Sequence, residues 1–366
     1  MLSQERNITF QVGHAFYRPT TTLVRDLGVL AATVQRQQTG KLRVLDAMSG
    51  CGIRALRYAL EAGAEWVWVN EANGEIKPTL EANLGEYLDV SRYQITHTDA
   101  NRIFFDCYNR SDFYDLIDLD AFGALNPYLA TVLWGTKIGG LVYLTSTDGR
   151  SVTGHAPEKS LRYYGAYARS HPAAHEQGLR LIMGCLQQQA ASQGRGVEPV
   201  FAYFTGETYR VMMRLVAQPQ LTTENYGWLG YCHHCGHYQT LRWRQLGNAL
   251  CPQDGERLVV SGAMWLGKLH DRAILEKMIA LAGNWGWTER IPLLQVMQTE
   301  ADVAPYFYSL QKIGQVGKLD LPKRDRLIVT LQEKGYRACV THINSQALKT
   351  TASFRTCVEI AKTLSN

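Results

Sequence analysis

The stretch Val44-Leu45-Asp46-Ala47-Met48-Ser49-Gly50-Cys51-Gly52-Ile53-Arg54 constrains the fold more than any other part of this 366-residue chain. A short apolar run gives way to a Gly-x-Gly turn, and a helical pattern follows through Ala55, Leu56, Tyr58, Ala59 and Leu60. This is the strand–turn–helix of a nucleotide-binding βαβ unit, whose glycines let a ligand approach the backbone. The alternation continues to residue 147, with further strands read at 66–70, 95–98, 114–120 and 141–145. Strands alternating with helices build a parallel, doubly wound sheet. Apolar runs at 197–203 and 209–216 flank Thr205-Gly206-Glu207-Thr208 and read as a β-hairpin that ends the sheet.

The strand ends carry acids. Gly50-Cys51-Gly52-Ile53-Arg54-Ala55 fits the dinucleotide pattern G-x-G-x-x-A, so NAD competes as the ligand. Asp46 argues against it, because a carboxylate in that turn repels a pyrophosphate but suits the cationic amino-acid end of S-adenosylmethionine. Glu71 follows the second strand, 19 residues after Gly52, where an acid binds both hydroxyls of a ribose. Asp99-Ala100 follows the third strand and offers a side-chain oxygen and a backbone amide to an adenine. Each acid alone reads as a solvated loop residue. Three at successive strand ends favour S-adenosylmethionine over NAD, and with the closing hairpin they give a Rossmann-like seven-stranded methyltransferase domain.

At the end of the fourth strand, Tyr114-Asp115-Leu116-Ile117-Asp118-Leu119-Asp120-Ala121-Phe122-Gly123 passes from apolar residues to a carboxylate, a small residue, an aromatic and a glycine. Taken alone, an acid before a turn is ordinary. Beside a methyl-donor site it suits an exocyclic base amine: Asp120 accepts the amine's hydrogen bonds while Phe122 stacks on a base drawn out of its helix.

The rest of the chain divides at 218/219. Residues 1–40 read as an N-terminal arm, containing Phe16-Tyr17-Arg18-Pro19, and a helix over 21–36. Residues 148–171, rich in Gly, Arg, Tyr and His, read as irregular, and a helix follows over 173–192. Residues 1–218 thus form the methyltransferase domain with its arm. Residues 219–225 look like a linker to a smaller α+β domain over 219–366, with helices at 301–312 and 323–334 and a strand at 336–342. That second domain opens with a zinc-ribbon-like segment, 231–256: Cys232, Cys235, Cys251 and Asp254 follow the layout C-x2-C-x15-C-x2-D, two close pairs on two turns. The fourth position is Asp rather than Cys, so a structural zinc and a metal-free remnant of a ribbon both stay open. His233, His234 and His237 stand close enough to substitute as ligands. The remaining cysteines are scattered, which argues against a secreted disulfide framework. No signal peptide opens the chain and no apolar run approaches a membrane span, so a cytoplasmic protein without membrane attachment is expected. Residues 301–366 hold ten Lys/Arg against five Asp/Glu, a balance equal to the whole chain's +5, and suggest a polyanionic partner. Lys323, Arg324 and Arg326 are candidate phosphate contacts. Nothing asks for an obligate protein partner.

Read in order, these segments resemble the tRNA (guanine-26-N2)-dimethyltransferase family nearly end to end. Ser261-Gly262-Ala263-Met264-Trp265-Leu266-Gly267 and Thr341-His342 with Leu348-Lys349-Thr350 extend the match through the second half. The resemblance implies transfer of one or two methyl groups from S-adenosylmethionine to N2 of guanine 26 of tRNA. By the resemblance Arg25, Arg54, Glu71, Asp99 and Ala100 would bind the cofactor, beside the strand-end Asp46 already read there; Asp120 would be the catalytic carboxylate, and Phe16 and Phe122 would sandwich the base. Whether a neighbouring guanine is also modified stays open. The family usually has Pro where Ala121 stands and Asn where Arg18 stands. An amino-methyltransferase for ribosomal RNA or DNA, and a non-catalytic RNA-binding protein with a vestigial cofactor fold, are the rival readings.

Overall fold

Nine strands make up the first half: β1 (Leu2–Glu5), β2 (Ile8–Gln11), β3 (Arg43–Asp46), β4 (Trp66–Asn70), β5 (Tyr93–Thr96), β6 (Tyr114–Asp120), β7 (Thr136–Ser146), β8 (Gly196–Phe204) and β9 (Tyr209–Val216). They belong to a computed structural model that describes residues 1–204, 206–320 and 323–365. β1 and β2 pair as an isolated hairpin; the others form one seven-stranded sheet in the order β5-β4-β3-β6-β7-β9-β8. β5 through β7 run parallel, and β9 lies antiparallel between β7 and β8. Val44, Leu45, Val67, Val69, Leu116, Ile117 and Leu119 are all buried, as strands covered by helices on both faces require. The expected hairpin is present as β8–β9, although Thr205 of its turn lies outside the described residues.

Strand order reverses between β3 and β6, which opens a crevice at their carboxyl ends. The turn after β3 fits there because Gly50 and Gly52 take the left-handed backbone, with φ of +54° and +83°. Gly52 also precedes the helix Ile53–Leu60, and a Cβ at that position would stand 2.9 Å from Leu80 Cδ2.

A buried ionic network ties the arm to the sheet. Arg57, fully buried, donates to Glu5 at 2.7 Å and to Asp26 at 2.6 Å, and Arg290 reaches Asp26 at 2.7 Å. Arg25 grips Glu5 through two nitrogens. The β1–β2 hairpin, the helix Thr22–Thr39 and the helix Ile53–Leu60 are therefore cross-linked by charge.

In the second half β10 (Tyr226–Tyr231), β11 (Tyr238–Leu241) and β12 (Val259–Trp265) form a sheet in the order β11-β10-β12. β13 (Tyr308–Ser309), β14 (Ala338–Val340) and β15 (Ala347–Thr350) form another in the order β13-β15-β14. The helices Arg272–Asn284 and Ile291–Glu300 return to the first half, where Ile274, Leu275 and Met278 share a core with Leu27 and Leu30 of Thr22–Thr39. A buried cluster joins the two halves: Lys349 of β15 donates to Glu176 at 2.7 Å, and Glu300 lies 3.8 Å from Lys349 and 3.6 Å from His270 while also pairing with His342.

Two expectations are corrected. Residues 148–171 contain a helix, Pro157–Tyr164, opened by a proline in its first turn and closed by Gly165 at φ +62°. The helix expected over 301–312 is instead a connection through Pro305, the short strand β13 and the start of a new helix, Leu310–Gly317, fixed by the Ser309 side chain accepting from Lys312 N–H. Pro305 interrupts a helix across this span, and Ser309 caps the one that begins at Leu310.

Candidate active site and metal centre

The crevice at the β3/β6 switch holds a cavity of about 860 Å³. It gathers segments far apart in sequence: the arm (Phe16, Arg18, Arg25), the Gly50–Gly52 turn region, the end of β4 (Glu71), the start of the helix Ala100–Arg110 (Asp99, Ala100), the end of β6 (Asp120–Phe122), and Arg210 of β9. Of the nine residues expected at the active and cofactor sites, eight line this one space: Phe16, Arg25, Arg54, Glu71, Asp99, Ala100, Asp120 and Phe122.

Asp46 does not. Its carboxylate is fully buried, neither oxygen has a partner, and the wall at this strand end is made by Ala47, Met48, Ser49 and Gly50. Desolvation, reinforced by the charge of Asp118, pushes its carboxyl well above the usual carboxylate range. Asp46 sits too deep in the sheet to face a ligand.

At the β4 end, Glu71 accepts the Gly50 N–H at 2.9 Å and the Asn73 N–H at 3.0 Å. A carboxylate offers about four acceptor positions, so capacity remains for hydroxyls in the cavity. Asp99 caps the helix Ala100–Arg110 by accepting from Asn101 N–H at 2.9 Å. The amides of that first turn have no intrahelical partner, which leaves the Ala100 N–H for a ligand. A diol acceptor at one strand end and an acceptor–donor pair at the next fit the ribose and adenine of S-adenosylmethionine.

Asp120 stands between two guanidinium groups. Arg54 pairs with one of its oxygens, and Arg210 lies 3.3 Å from the other. Burial raises its pKa, but the Arg54 and Arg210 charges outweigh burial and hold it at about 2, so it is a carboxylate at neutral pH. Arg54 also pairs with Asp118 at 3.2 Å, and Tyr58 donates to Asp118 at 2.7 Å. Phe16 and Phe122 are 74% and 89% exposed, so these rings are not core and are free to meet a flat ligand at the cavity mouth. Ala121 is buried between Asp120 and Phe122 and also lines the cavity.

Two arginines are more engaged than the sequence suggests. Arg25 is held by Glu5 at 2.8 Å and 2.9 Å and by Thr21 Oγ1 at 2.6 Å. Its neighbour Asp26 is also buried and is held by Arg57 and Arg290. Arg54 is committed to Asp118 and Asp120. Both still contribute to the cavity wall. Arg210 was missed from sequence, since nothing on an apolar interior strand marks one arginine as facing a site. Arg18 closes the mouth by pairing with Glu207 of the β8–β9 turn at 2.7 Å, while its guanidinium lies 5.1 Å from the Phe16 ring centroid.

In the second half, Cys232, Cys235, Cys251 and Asp254 converge, with ligand atoms within 4.8 Å of one another. The two turns that carry them have matching hydrogen bonds. Cys232 N–H donates to His237 O and Gly236 N–H to Cys232 O; Cys251 N–H donates to Glu256 O and Gly255 N–H to Cys251 O. Gly236 and Gly255 both take positive φ, +82° and +75°. Asp254 therefore occupies in the second turn the place of Cys235 in the first. Sulfur–sulfur and sulfur–oxygen separations of 3.4 to 3.6 Å suit the edges of a zinc tetrahedron. Of the neighbouring histidines, His234 contacts Asp254 at 2.9 Å. Lys312 reaches across to the His233 carbonyl at 2.8 Å and anchors the ribbon on the helix Leu310–Gly317.

Fold and site together define a Rossmann-like S-adenosylmethionine-dependent methyltransferase with a separate C-terminal portion. The structure is similar to the complex of Trm1 from Pyrococcus horikoshii with S-adenosyl-L-methionine, with a TM-score of 0.86 and 27% identity, covering 98% of this chain and 99% of that one. A model of the N2,N2-dimethylguanosine tRNA methyltransferase family matches residues 1–362, and the chain belongs to that family. Among its relatives, the tRNA (guanine(26)-N(2))-dimethyltransferase of Thermococcus kodakarensis is 31% identical over 365 residues, 95% of this chain and 93% of the relative. The protein of the same name from Methanobrevibacter smithii is 29% identical over 360 residues, 96% of this chain and 92% of the relative.

Proposed function

We propose that this chain transfers methyl groups from S-adenosylmethionine to N2 of guanine 26 in tRNA. The observation that carries the reading is Asp120, an ionised carboxylate on the wall of the cofactor-sized cavity that an exposed Phe122 and an exposed Phe16 also line. Glu71 and the Asp99-Ala100 pair would hold ribose and adenine, with Arg25 and Arg54 supporting the site from its wall.

S-adenosylmethionine, when bound, supplies an electrophilic methyl group. Guanine N2 is a poor nucleophile because its lone pair is delocalised into the ring. Asp120 accepts an N2–H hydrogen bond, which localises that lone pair and stabilises positive charge developing on nitrogen. Its low pKa makes it an electrostatic partner rather than a strong base, and the displaced proton passes on to solvent. Phe16 and Phe122 stack on the two faces of the base and fix its angle of attack. No cysteine nucleophile is needed, and burial pushes the thiol of the cavity-lining Cys51 up to about 11.

Zinc belongs to the same proposal, as a structural ion held by Cys232, Cys235, Cys251 and Asp254. So does the division into a methyltransferase domain, 1–218, and a tRNA-binding domain, 219–366, whose exposed Lys323 and Arg326 are available to phosphates. Arg324 is occupied by Asp325 and the Ser345 carbonyl. No described helix is long and apolar enough to cross a membrane, and a cytoplasmic location is part of the proposal. Mass spectrometry of nucleosides from tRNA incubated with enzyme and S-adenosylmethionine tests it. Mono- or dimethylated guanosine mapped to position 26 is expected. Methylation of ribosomal RNA or DNA but not tRNA would overturn it.

A further inference from the structure

A second cavity, of about 1210 Å³, adjoins the first, and Phe122, Thr147 and Glu207 line both. Phe122 and the β8–β9 turn thus form a partition with a space on either side. The far wall is the 148–171 segment, which the catalytic reading leaves without a task. Arg150 and Lys159 line it, are exposed, and have no carboxylate partner among the described residues. Tyr163 and His155 add ring faces. The acids nearby are accounted for. Glu207 is paired with Arg18 at 2.7 Å, and one oxygen of Asp148 accepts the Ser151 N–H while the other is buried.

We infer that this second cavity seats the nucleotide next to the methylated guanine in the same RNA, with its phosphate on Arg150 and Lys159 and its base against Tyr163. The inference rests on the proposed function. A guanine entering the first cavity past Phe122 brings its covalently linked neighbour to the other side of that ring. The neighbour carries a phosphate, and the two unpaired cations supply its counter-charge. A bare aromatic partition separates adjacent bases by stacking, without reading their sequence.

The test uses the full-length Arg150→Gln/Lys159→Gln double variant and tRNA bearing 4-thiouridine on one or other side of the target guanine. Affinity for tRNA should fall roughly tenfold at about 0.1 M salt, and the slope of log affinity against log salt should be shallower by roughly 0.7 to 0.9, the loss of one neutralised phosphate. S-adenosylmethionine affinity should not change. Irradiation should cross-link one thio-labelled neighbour to the peptide containing His155 or Tyr163. Unchanged affinity and slope, or cross-links only elsewhere, would overturn the second site while leaving the proposed function standing. A wild-type chain that binds S-adenosylmethionine but methylates no tRNA would overturn both.

Discussion

Asp120 and Arg210 face each other across an intervening strand: Asp120 of β6 is in register with Thr145 of β7, and Thr145 with Arg210 of β9, so the guanidinium reaches over one residue to lie 3.3 Å from the carboxylate. The antiparallel β8–β9 hairpin is thus more than an edge to the sheet. It carries the second cation that holds the pKa of the half-buried Asp120 low, and Arg54 supplies the first.

Asp120→Asn keeps size and one acceptor oxygen but removes the charge that stabilises the developing cation. Turnover should fall by a factor on the order of 10² to 10³, the scale of one lost preorganised electrostatic contact. Affinity for tRNA should hardly move, because phosphate contacts elsewhere supply most of it. Phe122→Ala should instead slow capture of the base, removing stacking worth roughly 1–3 kcal/mol. Single-turnover methylation with saturating cofactor separates the two, and a near wild-type rate for Asp120→Asn would refute the mechanism.

Glu71→Ala should weaken S-adenosylmethionine binding by roughly 1–3 kcal/mol through loss of charge-assisted hydrogen bonds. Because Glu71 also accepts the Gly50 N–H at 2.9 Å, the substitution loosens the turn as well. Glu71→Gln, which keeps an acceptor for that amide, should show a smaller loss. Titration calorimetry giving wild-type affinity for both variants would remove Glu71 from the cofactor site.

The strand-end residues were legible in the sequence because chemistry and backbone coincide there: glycine marks the turn, and an acid marks a position at the strand end that can line the cavity. Eight of nine expected residues line one cavity. Asp46 misled because a strand-end acid looks the same whether it faces the ligand or the sheet interior, and only burial distinguishes them. Arg25 and Arg54 were read as ligands, yet their guanidinium groups are largely taken by Glu5, Asp118 and Asp120 from distant parts of the chain. The Glu5–Arg57–Asp26 network and Arg210 were invisible for the same reason. Each depends on pairings between elements that sequence order does not bring together.

Purified protein should carry about one zinc per chain, held by three thiolates and one carboxylate oxygen. Asp254→Cys should tighten its retention against chelators, since the two turns share their backbone hydrogen bonds and a thiolate at 254 would complete a four-cysteine set. Elemental analysis finding no zinc in protein purified without chelators would favour a ribbon that stands without metal.

Stability should decline with acid in two windows. His171 and His270 are buried, and burial depresses both to about 4. The unfolded chain therefore takes up protons that the folded chain refuses, and stability falls as pH drops from about 6.5 to 4. Glu5 follows. Although burial raises its pKa, Arg25 and Arg57 hold it at about 2, against 4.5 when free. Its contribution, about 3 kcal/mol, is complete above pH 5 and is lost as pH falls from 4.5 towards 2. Urea midpoints measured from pH 8 to pH 2 should show both windows, and Glu5→Gln should remove the second. A flat midpoint between pH 7 and pH 4.5 would count against the histidine assignment.

Lys349 offers the sharpest test of how the two halves hold together. It is 1% exposed, donates to Glu176 at 2.7 Å and lies 3.8 Å from Glu300, while Glu176 also pairs with Arg180 at 2.9 Å. Lys349→Met keeps the apolar stem but leaves two buried carboxylates short of one cation, at a cost of about 3–5 kcal/mol. Removing the charge of Glu176 as well should recover part of that loss, because one buried cation, Arg180, then balances one remaining anion, Glu300. The Glu176→Gln/Lys349→Met double variant should accordingly be more stable than Lys349→Met alone, a coupling that denaturant titration of all four proteins in the cycle measures. Strictly additive losses would mean that Lys349 is held by packing rather than by its pairing with Glu176.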